Sequence, residues 1–470
     1  MRLQSPWAPR LSELSESPSE RLMLALADDI LSGTLPTGSR LPPQRDVAGI
    51  LHIGLGSVTR AYAILERRGL IRVEKGRGCF VALRHARRID TVDLSVNTPP
   101  AMLSEPVLAQ TLATISRQID PTLLSRYGPA AGHVEHRRQM AQWLLDGGIH
   151  AQPQNILLCN GAQQALCIAM AVLCKPGTVV VTEALTYPGA LTIAHQQGYR
   201  LNGLALDDGG ASTESLEAAL RTLSALNQRA VVYLTPTLHN PTTRTMSARR
   251  RREVAKLCRT YDAMIIEDQT YAMAPASALP SIASFAPERT FCVTGLSKTL
   301  SPGLRIGALV APDSLVAESV DVLRALGMMA APISCAIMSQ WLTDGTADLM
   351  AGSMRAEIRR RTALASTILG RTTCLIDPDA IHLWLPLTRD DAQRAHTMCA
   401  GAGITVTTPS RVMVDPGATS SGLRLCIGAA PLPALEEALN KVSHILASVR
   451  AAPLSHAGPG KGDSSAVLPC

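Results

Sequence analysis

Two side chains that could do chemistry stand close together in the stretch Gly295-Leu-Ser-Lys-Thr-Leu-Ser-Pro-Gly-Leu-Arg. Lys298 offers an amine nucleophile, and Arg305 offers a fixed cation beside it. Asp268 could pair with a protonated ring nitrogen, and Asn240 could donate a hydrogen bond to a phenolate-like oxygen. Singly, each has a plain explanation: a surface lysine, a salt-bridge arginine or a helix-capping aspartate. Only their combination indicates a ligand site.

The elements that must position these residues are apolar strands that alternate with helices between about residues 93 and 449. The strands are predicted from four apolar runs: Thr178-Val-Val-Val-Thr, Ala230-Val-Val-Tyr-Leu, Ala263-Met-Ile-Ile-Glu and Phe291-Cys-Val-Thr. Such runs are typical of strands buried on both faces, which predicts an α/β fold with a mainly parallel sheet and helices on both sides. Ligands of such sheets bind at the carboxyl ends of the strands. There, Asn160-Gly-Ala-Gln opens an apolar helix whose free N–H groups suit an anion.

Residues 93–449 resemble fold-type I pyridoxal-phosphate enzymes of the aminotransferase class. The resemblance lies in Ser297-Lys-Thr-Leu-Ser-Pro-Gly-Leu-Arg-Ile-Gly, Glu183-Ala-Leu-Thr-Tyr-Pro-Gly and His239-Asn-Pro-Thr-Thr. It implies a small C-terminal subdomain and pyridoxal 5′-phosphate in Schiff-base linkage to Lys298, with Asp268 on the ring nitrogen so that the ring remains an electron sink. It also implies further cofactor contacts: Ala162, Gln163 and Arg305 at the phosphate, Tyr187 on the ring, and Asn240 and Tyr271 at the 3-hydroxyl oxygen.

The same resemblance implies an effector site and a dimer. Arg424, in Gly422-Leu-Arg-Leu-Cys-Ile-Gly, matches the arginine that forks onto the carboxylate of an amino acid. Tyr127 would reach the phosphate in the neighbouring subunit of a homodimer. Two positions depart from the family pattern. Gly295 stands where Ser or Thr is usual, so Thr294 or Ser297 would have to supply a phosphate hydroxyl contact, and His136 replaces a leucine.

Composition limits the class of protein. The 470 residues, 46% of them hydrophobic, suffice for two or three domains. No apolar run reaches the roughly 20 residues that cross a bilayer, and the first residues lack a signal-peptide core, so we expect a cytoplasmic protein. The eleven cysteines form no CxxC pair, and we expect reduced thiols and no metal site. Residues 1–88 hold 14 Arg/Lys against 8 Asp/Glu, which indicates a polyanionic partner.

Residues 14–82 show the pattern of a winged helix-turn-helix. Helices are predicted over 18–32, 46–51 with Val47, Ile50 and Leu51 inward, and about 57–68 after the break Gly54-Leu-Gly; two strands flank Gly76-Arg-Gly. The segment resembles the GntR family through Leu41-Pro-Pro-Gln-Arg-Asp-Val-Ala, Val58-Thr-Arg-Ala-Tyr and Gly76-Arg-Gly-Cys-Phe-Val, although Leu55 and Gly56 replace polar or basic residues. We expect six residues to contact double-stranded DNA: Ser57, Thr59 and Arg60 at bases, Arg40 and Arg45 at phosphates, and Arg77 in a minor groove.

The order of the segments completes the prediction: a linker over 83–92 and a disordered tail over 450–470 frame the large domain. A GntR-type head on an aminotransferase-like body resembles the MocR subfamily of transcription regulators. This implies a cofactor-dependent regulator that senses an amine, an amino acid or a vitamin B6 form. The alternative is an active aminotransferase with an accessory DNA-binding head, because sensing and transamination need the same Lys298 and Asp268.

Overall fold

The structure is a computed structural model that describes residues 6–12, 17–31, 34–36, 38–67, 70–74, 78–82, 91–271, 279–370, 374–418 and 420–451. The chain divides into two compact units, Met1–Thr91 and Val92–Cys470. Within the described residues, no helix is both long and apolar enough to cross a membrane.

The first unit is a three-helix bundle with a two-stranded wing. Its elements are α1 (Pro18–Leu31), α2 (Gln44–Leu51), α3 (Leu55–Arg67), β1 (Ile71–Glu74) and β2 (Gly78–Val81). The face of α3 that carries Val58, Ala61, Tyr62 and Leu65 is buried, as the helical spacing predicts. β1 and β2 pair antiparallel from Ile71↔Val81 to Glu74↔Gly78.

The boundaries of the helix-turn-helix differ from the prediction. α3 begins at Leu55 rather than near Ser57, because the Gly54 carbonyl accepts the amides of Ser57 at 2.9 Å and Val58 at 3.4 Å. Leu55 and Gly56 therefore form the first turn of the helix instead of a break. The inward placement of Ile50 is wrong: its side chain is 57% exposed, because the short helix α2 buries only the face centred on Val47.

The second unit alternates strands and helices. In chain order its elements are β3 (Val92–Asp93), α4 (Glu105–Gln118), α5 (Thr122–Ser125), α6 (Val134–Asp146), β4 (Ile156–Cys159), α7 (Ala162–Leu173), β5 (Val179–Glu183), α8 (Pro188–Gln197), β6 (Arg200–Leu204), β7 (Leu206–Asp207), β8 (Gly210–Ala211), α9 (Thr213–Ala225), β9 (Val231–Leu234), α10 (Ala248–Thr260), β10 (Met264–Asp268), α11 (Ile282–Phe285), β11 (Thr290–Gly295), β12 (Gly307–Val310), α12 (Val316–Gly327), α13 (Pro332–Thr343), α14 (Thr346–Leu369), β13 (His382–Thr388), α15 (Arg389–Gly401), β14 (Ile404–Thr405), β15 (Ser420–Cys426) and α16 (Leu432–Ala451).

A seven-stranded sheet forms the centre of the second unit, in the order β4-β12-β11-β10-β9-β5-β6. Only β12 runs antiparallel to its neighbours, which confirms the mainly parallel α/β fold. Successive residues of a strand point to opposite faces of the sheet and pack in different hydrophobic cores. Ile266 packs in the core with α7 and α8, whereas Ile265 packs in the core with α9 and α10. The apolar runs are thus buried on both faces because helices cover both sides of the sheet.

A smaller C-terminal part completes the second unit. β13 and β15 pair antiparallel, α15 packs against them, and α16 packs against α15, around a core that includes Leu383, Leu425 and Leu439. β14 pairs with β3, which carries the start of the unit to this part. Of the predicted linker over 83–92, only Thr91 and Val92 are described, and Val92 lies in β3. The predicted tail lies outside the described residues from position 452 onward.

Candidate ligand-binding site

One cavity of about 680 Å³ lies in the second unit where the central strands end. It brings together ten of the residues that the sequence indicated: Ala162, Gln163, Tyr187, Asn240, Asp268, Tyr271, Ser297, Lys298, Arg305 and Arg424. Tyr127 is not among the lining residues, and its side chain is 80% exposed.

One end of the cavity combines groups that could hold an anion. α7 begins at Ala162 after Gly161, whose backbone has φ +88° and leaves the helix without a side-chain cap. Arg305 lies against Gly161, donating to the Asn160 carbonyl at 3.3 Å, and a Cβ on Gly161 would overlap the guanidinium. Free helix amides and a guanidinium at one point match a phosphate group.

The packing around this end explains the glycine at position 295. A Cβ there would stand 3.3 Å from the Cβ of Ala162, so a larger residue would crowd the start of α7. Of the two hydroxyl groups that could substitute, the Ser297 hydroxyl faces the cavity and accepts from Arg305 at 3.5 Å. The Thr294 hydroxyl is buried and donates to the Gln269 carbonyl instead.

Asp268 ends β10, and three hydrogen bonds hold its carboxylate in place. Tyr233 Oη donates to Asp268 Oδ2 at 2.9 Å, and the Thr270 amide and hydroxyl donate to Oδ1 at 3.0 and 2.6 Å. Burial raises the pKa of Asp268, and these hydrogen bonds oppose that rise. Tyr233 lies on β9 beside Ile266 of β10. Its position in an apolar strand did not indicate that it would bond to Asp268.

Lys298 follows β11 and donates to the main-chain oxygen of Asn97. Burial lowers the pKa of its amine to about 8. A larger fraction of the amine is therefore neutral near physiological pH than for an exposed lysine, which is the form that attacks a carbonyl. Asn97 stands after the short strand β3, and no local sequence pattern marks it as a site residue.

A buried polar network surrounds the Tyr271 hydroxyl. Tyr271 Oη accepts from Asn97 Nδ2 at 2.7 Å and lies 3.4 Å from Asn240 Nδ2. His382 Nε2 lies 3.2 Å from the His239 carbonyl and must donate to it, so Nδ1 accepts from Asn97 at 3.1 Å. Burial lowers the pKa of His382 to about 3, which keeps the imidazole neutral. The sequence did not indicate His382.

Arg424, on β15, also lines the cavity and is 6% exposed. One terminal nitrogen donates to Asn240 Oδ1 at 2.9 Å, and the other donates to the Ser95 carbonyl at 2.7 Å and to Thr407 Oγ1 at 2.9 Å. Arg424 Nε is buried without a hydrogen-bond partner in the described part of the chain. A buried N–H in this state is ready for an acceptor supplied by a ligand.

These residues fit pyridoxal phosphate. The Gly161 turn and Arg305 suit the phosphate, and Asp268 suits the ring nitrogen. Tyr187, the residue before α8, donates to Gln163 Oε1 at 2.9 Å and lines the same cavity. When bound, the cofactor supplies an aldehyde that condenses with amines and a ring that withdraws electrons.

Of the predicted DNA-contacting residues, Arg45 lies on α2, Ser57, Thr59 and Arg60 lie on α3, and Arg40 precedes α2. Arg45, Thr59 and Arg60 are exposed, and Ser57 and Arg40 are half-buried. Thr59 Oγ1 donates to Gln44 Oε1 at 2.8 Å, which links α3 to α2. The backbone of Arg40 forms an isolated antiparallel β-bridge with Phe80 of the wing. Arg77 lies outside the described residues.

The fold and the site together define a pyridoxal-phosphate-binding protein of the aminotransferase fold joined to a helix-turn-helix head. The family "Aminotransferase class I and II" matches residues 89–442, and "Bacterial regulatory proteins, gntR family" matches residues 18–81. An uncharacterized HTH-type transcriptional regulator of Bacillus subtilis, YdeF, is 28% identical over 94% of this chain and 96% of its own. The HTH-type transcriptional regulator TauR of Rhodobacter capsulatus is 30% identical over 73% of this chain and 77% of its own.

The fold also matches solved structures. An archaeal alanine:glyoxylate aminotransferase superposes with a TM-score of 0.69 at 21% identity, covering 84% of this chain and 95% of that protein. This likeness shows the fold. The chain belongs to the aminotransferase class I and II family and, within it, to the transcription regulators that carry a GntR-type head. This confirms the predicted resemblance to the MocR subfamily.

Proposed function

We propose that the chain regulates transcription by sensing an amine or amino acid at its pyridoxal-phosphate site. The observation that carries the proposal is that Lys298, Asp268 and Arg424 line one cavity, where Arg424 Nε is buried and has no acceptor among the described residues. An amine held at the Lys298 end of this cavity can place an acid group on Arg424. Arg424 therefore selects amines that carry a carboxylate or similar anion.

The residues of the chain have distinct roles in this proposal. Lys298 would provide the amine that holds the cofactor, and an effector amine would compete with Lys298 for it. Asp268 would hold the protonated ring nitrogen, with Tyr233 and Thr270 fixing its carboxylate. Asn240 and Tyr271 would contact the 3-hydroxyl oxygen, Tyr187 would cover the ring, and the phosphate would be held by Ala162, Gln163, Ser297 and Arg305.

Regulation requires that the effector bind one conformation of the protein better than another. Arg424 lies on β15 in the C-terminal part, bonds within that part to Thr407 and bonds across to Asn240 beside the central sheet. An acid group on Arg424 would compete with these bonds and alter the position of the C-terminal part. We propose that this change alters how a homodimer presents its two heads to DNA.

Dimerisation is part of the same proposal. Tyr127, 80% exposed, would complete the phosphate site of the neighbouring subunit. Replacing Tyr127 with Ala should weaken cofactor affinity without changing the fold of the subunit. Mixing Tyr127→Ala with Lys298→Ala subunits should leave a fraction of mixed dimers with one normal cofactor site.

An absorbance spectrum tests the sensing site. The purified protein should show a visible cofactor band that Lys298→Ala removes and that a suitable amino acid shifts. Lys256→Ala, which replaces an exposed lysine on α10, is the matched control and should keep the band. DNA affinity, measured with and without the same amino acid, should change in the wild type and not in Lys298→Ala. A Lys298→Ala protein that still responds would refute the role of Lys298 in the switch.

An active aminotransferase is the second candidate, favoured by the lowered pKa of Lys298 inside a full set of cofactor-binding residues. An enzyme must move a proton with Lys298, release an oxo acid and accept a second substrate. Repeated formation of oxo acid from an amino acid and a second oxo acid would support an enzyme. A band shift without oxo-acid release would support a sensor.

A further inference from the structure

The lining of the cavity includes basic side chains that have no role in the proposed function. Among the described residues that line it, Asp268 is the only acidic one, and it faces the ring nitrogen in the proposed function. Arg305 is assigned to the phosphate and Arg424 to one acid group. Two further side chains line the same cavity, Arg411 and His396. Within the described ranges neither of these two side chains has a hydrogen-bond or ion-pair partner.

The backbone that carries Arg411 is fixed on both sides. Arg411 lies in the short 3₁₀ turn Pro409–Val412. After it, the Thr186 amide donates to the Val412 carbonyl at 2.8 Å and the Val414 amide donates to the Ala184 carbonyl at 2.9 Å. These bonds tie the turn to the segment between β5 and α8, which also carries Tyr187.

The same turn is tied to Arg424. Thr407, just before the turn, accepts from Arg424 at 2.9 Å and donates to the Ser95 carbonyl at 3.0 Å. His396 comes from α15, which packs against the turn. Arg411 is thus an exposed residue on a turn whose backbone is fixed by hydrogen bonds. The residue that bonds to Arg424, Thr407, lies next to this turn in the chain.

We propose that the effector is an amine with two acid groups: one bound by Arg424 and the second by Arg411, with His396 beside it. The inference rests on the proposed function and specifies its ligand class. An arginine binds a carboxylate through two parallel hydrogen bonds to its two charged oxygens. An amide of the same shape has only one acceptor oxygen and no charge, so it cannot make the same pair of bonds. Because Arg411 is exposed, the expected preference is moderate, about tenfold in Kd for a diacid over its amide.

Matched pairs of amino acids test this inference on the full-length, cofactor-loaded protein. The shift of the visible cofactor band gives the Kd of glutamate against glutamine and of aspartate against asparagine. In the wild type at least one acid should bind about tenfold more tightly than its amide. Arg411→Gln should remove that preference by weakening the acid while leaving the amide unchanged, and Arg411→Lys should retain part of it.

Arg450→Gln is the matched control, because Arg450 is an exposed arginine at the end of α16 that does not line the cavity. It should leave both Kd values unchanged. Equal Kd values for acids and amides in the wild type would overturn the inference while leaving the proposed sensor intact. Equal weakening of acid and amide by Arg411→Gln would show a structural role and also overturn it. Failure of every amine to shift the band would overturn the proposed function, and the inference with it.

Discussion

Replacing Gly307 with Ala should disrupt the phosphate end of the site. A Cβ at this position would stand 2.5 Å from the Gly161 carbonyl carbon, 2.6 Å from the Ala162 nitrogen and 2.8 Å from the Thr294 oxygen. All three are backbone atoms, and ordinary contact begins at 3.4 Å. The start of α7 must therefore move from β12 by about 0.8 Å. A phosphate bond to an α7 amide would lengthen from about 2.9 Å to about 3.7 Å, which is no longer a hydrogen bond.

The loss can be expressed as cofactor affinity. A hydrogen bond to a charged group contributes about 1.5–3 kcal/mol, so losing one should weaken pyridoxal phosphate binding about 10- to 150-fold. The assay is titration of cofactor-free protein with pyridoxal phosphate, with circular dichroism to confirm folding. Gly352→Ala is the matched control, since nothing lies within 4 Å of a Cβ at that position in α14. A folded Gly307→Ala protein with wild-type affinity would refute the role of the α7 amides.

Three further predictions concern titration and DNA contact. Because burial lowers the pKa of Lys298 to about 8, the rate of cofactor uptake by the cofactor-free protein should rise through about pH 8, and a midpoint above pH 10 would contradict this. Burial raises the pKa of Glu183 to about 7, so the wild-type protein loses stability as pH rises from about 4.5 to 7. Glu183→Gln lacks this loss. Between pH 5 and pH 8 its free energy of unfolding in urea should therefore rise by about 2 kcal/mol relative to that of the wild type. In DNA-binding titrations, Arg60→Ala should reduce discrimination between operator and random DNA by about 1–3 kcal/mol, whereas Arg45→Ala should weaken both and lower the salt dependence by about one ion.

The reason for the Glu183 prediction lies in its surroundings. Glu183 Oε1 accepts the Thr235 amide at 2.9 Å, and His239 Nε2 lies 3.9 Å away. Burial lowers the pKa of His239 to about 3, so the imidazole is uncharged and does not compensate a carboxylate. A glutamine can accept the same amide bond without the cost of a buried charge. Wild-type and variant proteins with the same pH dependence would show that the carboxylate is better solvated than its burial indicates.

The residues that could be predicted from the sequence are those whose local setting is informative. Lys298 and Arg305 share one turn after a strand, Asp268 directly ends a strand, and Gly161 precedes an apolar helix. In a parallel sheet these positions meet at one edge, so their chemistry and their proximity follow from the same pattern. The buried faces of the sheet were predictable for a similar reason, since apolar residues on both faces of a strand require cover on both sides.

Residues brought in by tertiary contacts could not be predicted in this way. Asn97 follows a two-residue strand that pairs with β14, more than 300 residues later in the chain, and also contacts α16. His382 begins β13 and reaches the site only because the C-terminal part packs against the His239 loop. The helix start at Leu55 was missed because two glycines near it suggested a break, whereas the Gly54 carbonyl accepts the first helical bonds. The low helix propensity of glycine was outweighed by the packing of α3.

The way Arg424 is held bears on the choice between sensor and enzyme. Its terminal nitrogens are already bonded to Asn240, Ser95 and Thr407, and only Nε lacks a partner among the described residues. An acid group that takes two parallel hydrogen bonds from Arg424 must therefore replace at least one of these bonds. An enzyme gains from this exchange only if the site reopens quickly to release product. A regulator gains from it directly, because the exchange of bonds within the chain for bonds to the effector is the differential interaction that shifts a conformational equilibrium. The Arg424 contacts therefore favour sensing, and Thr407→Val should expose this by changing effector affinity while leaving cofactor affinity unchanged.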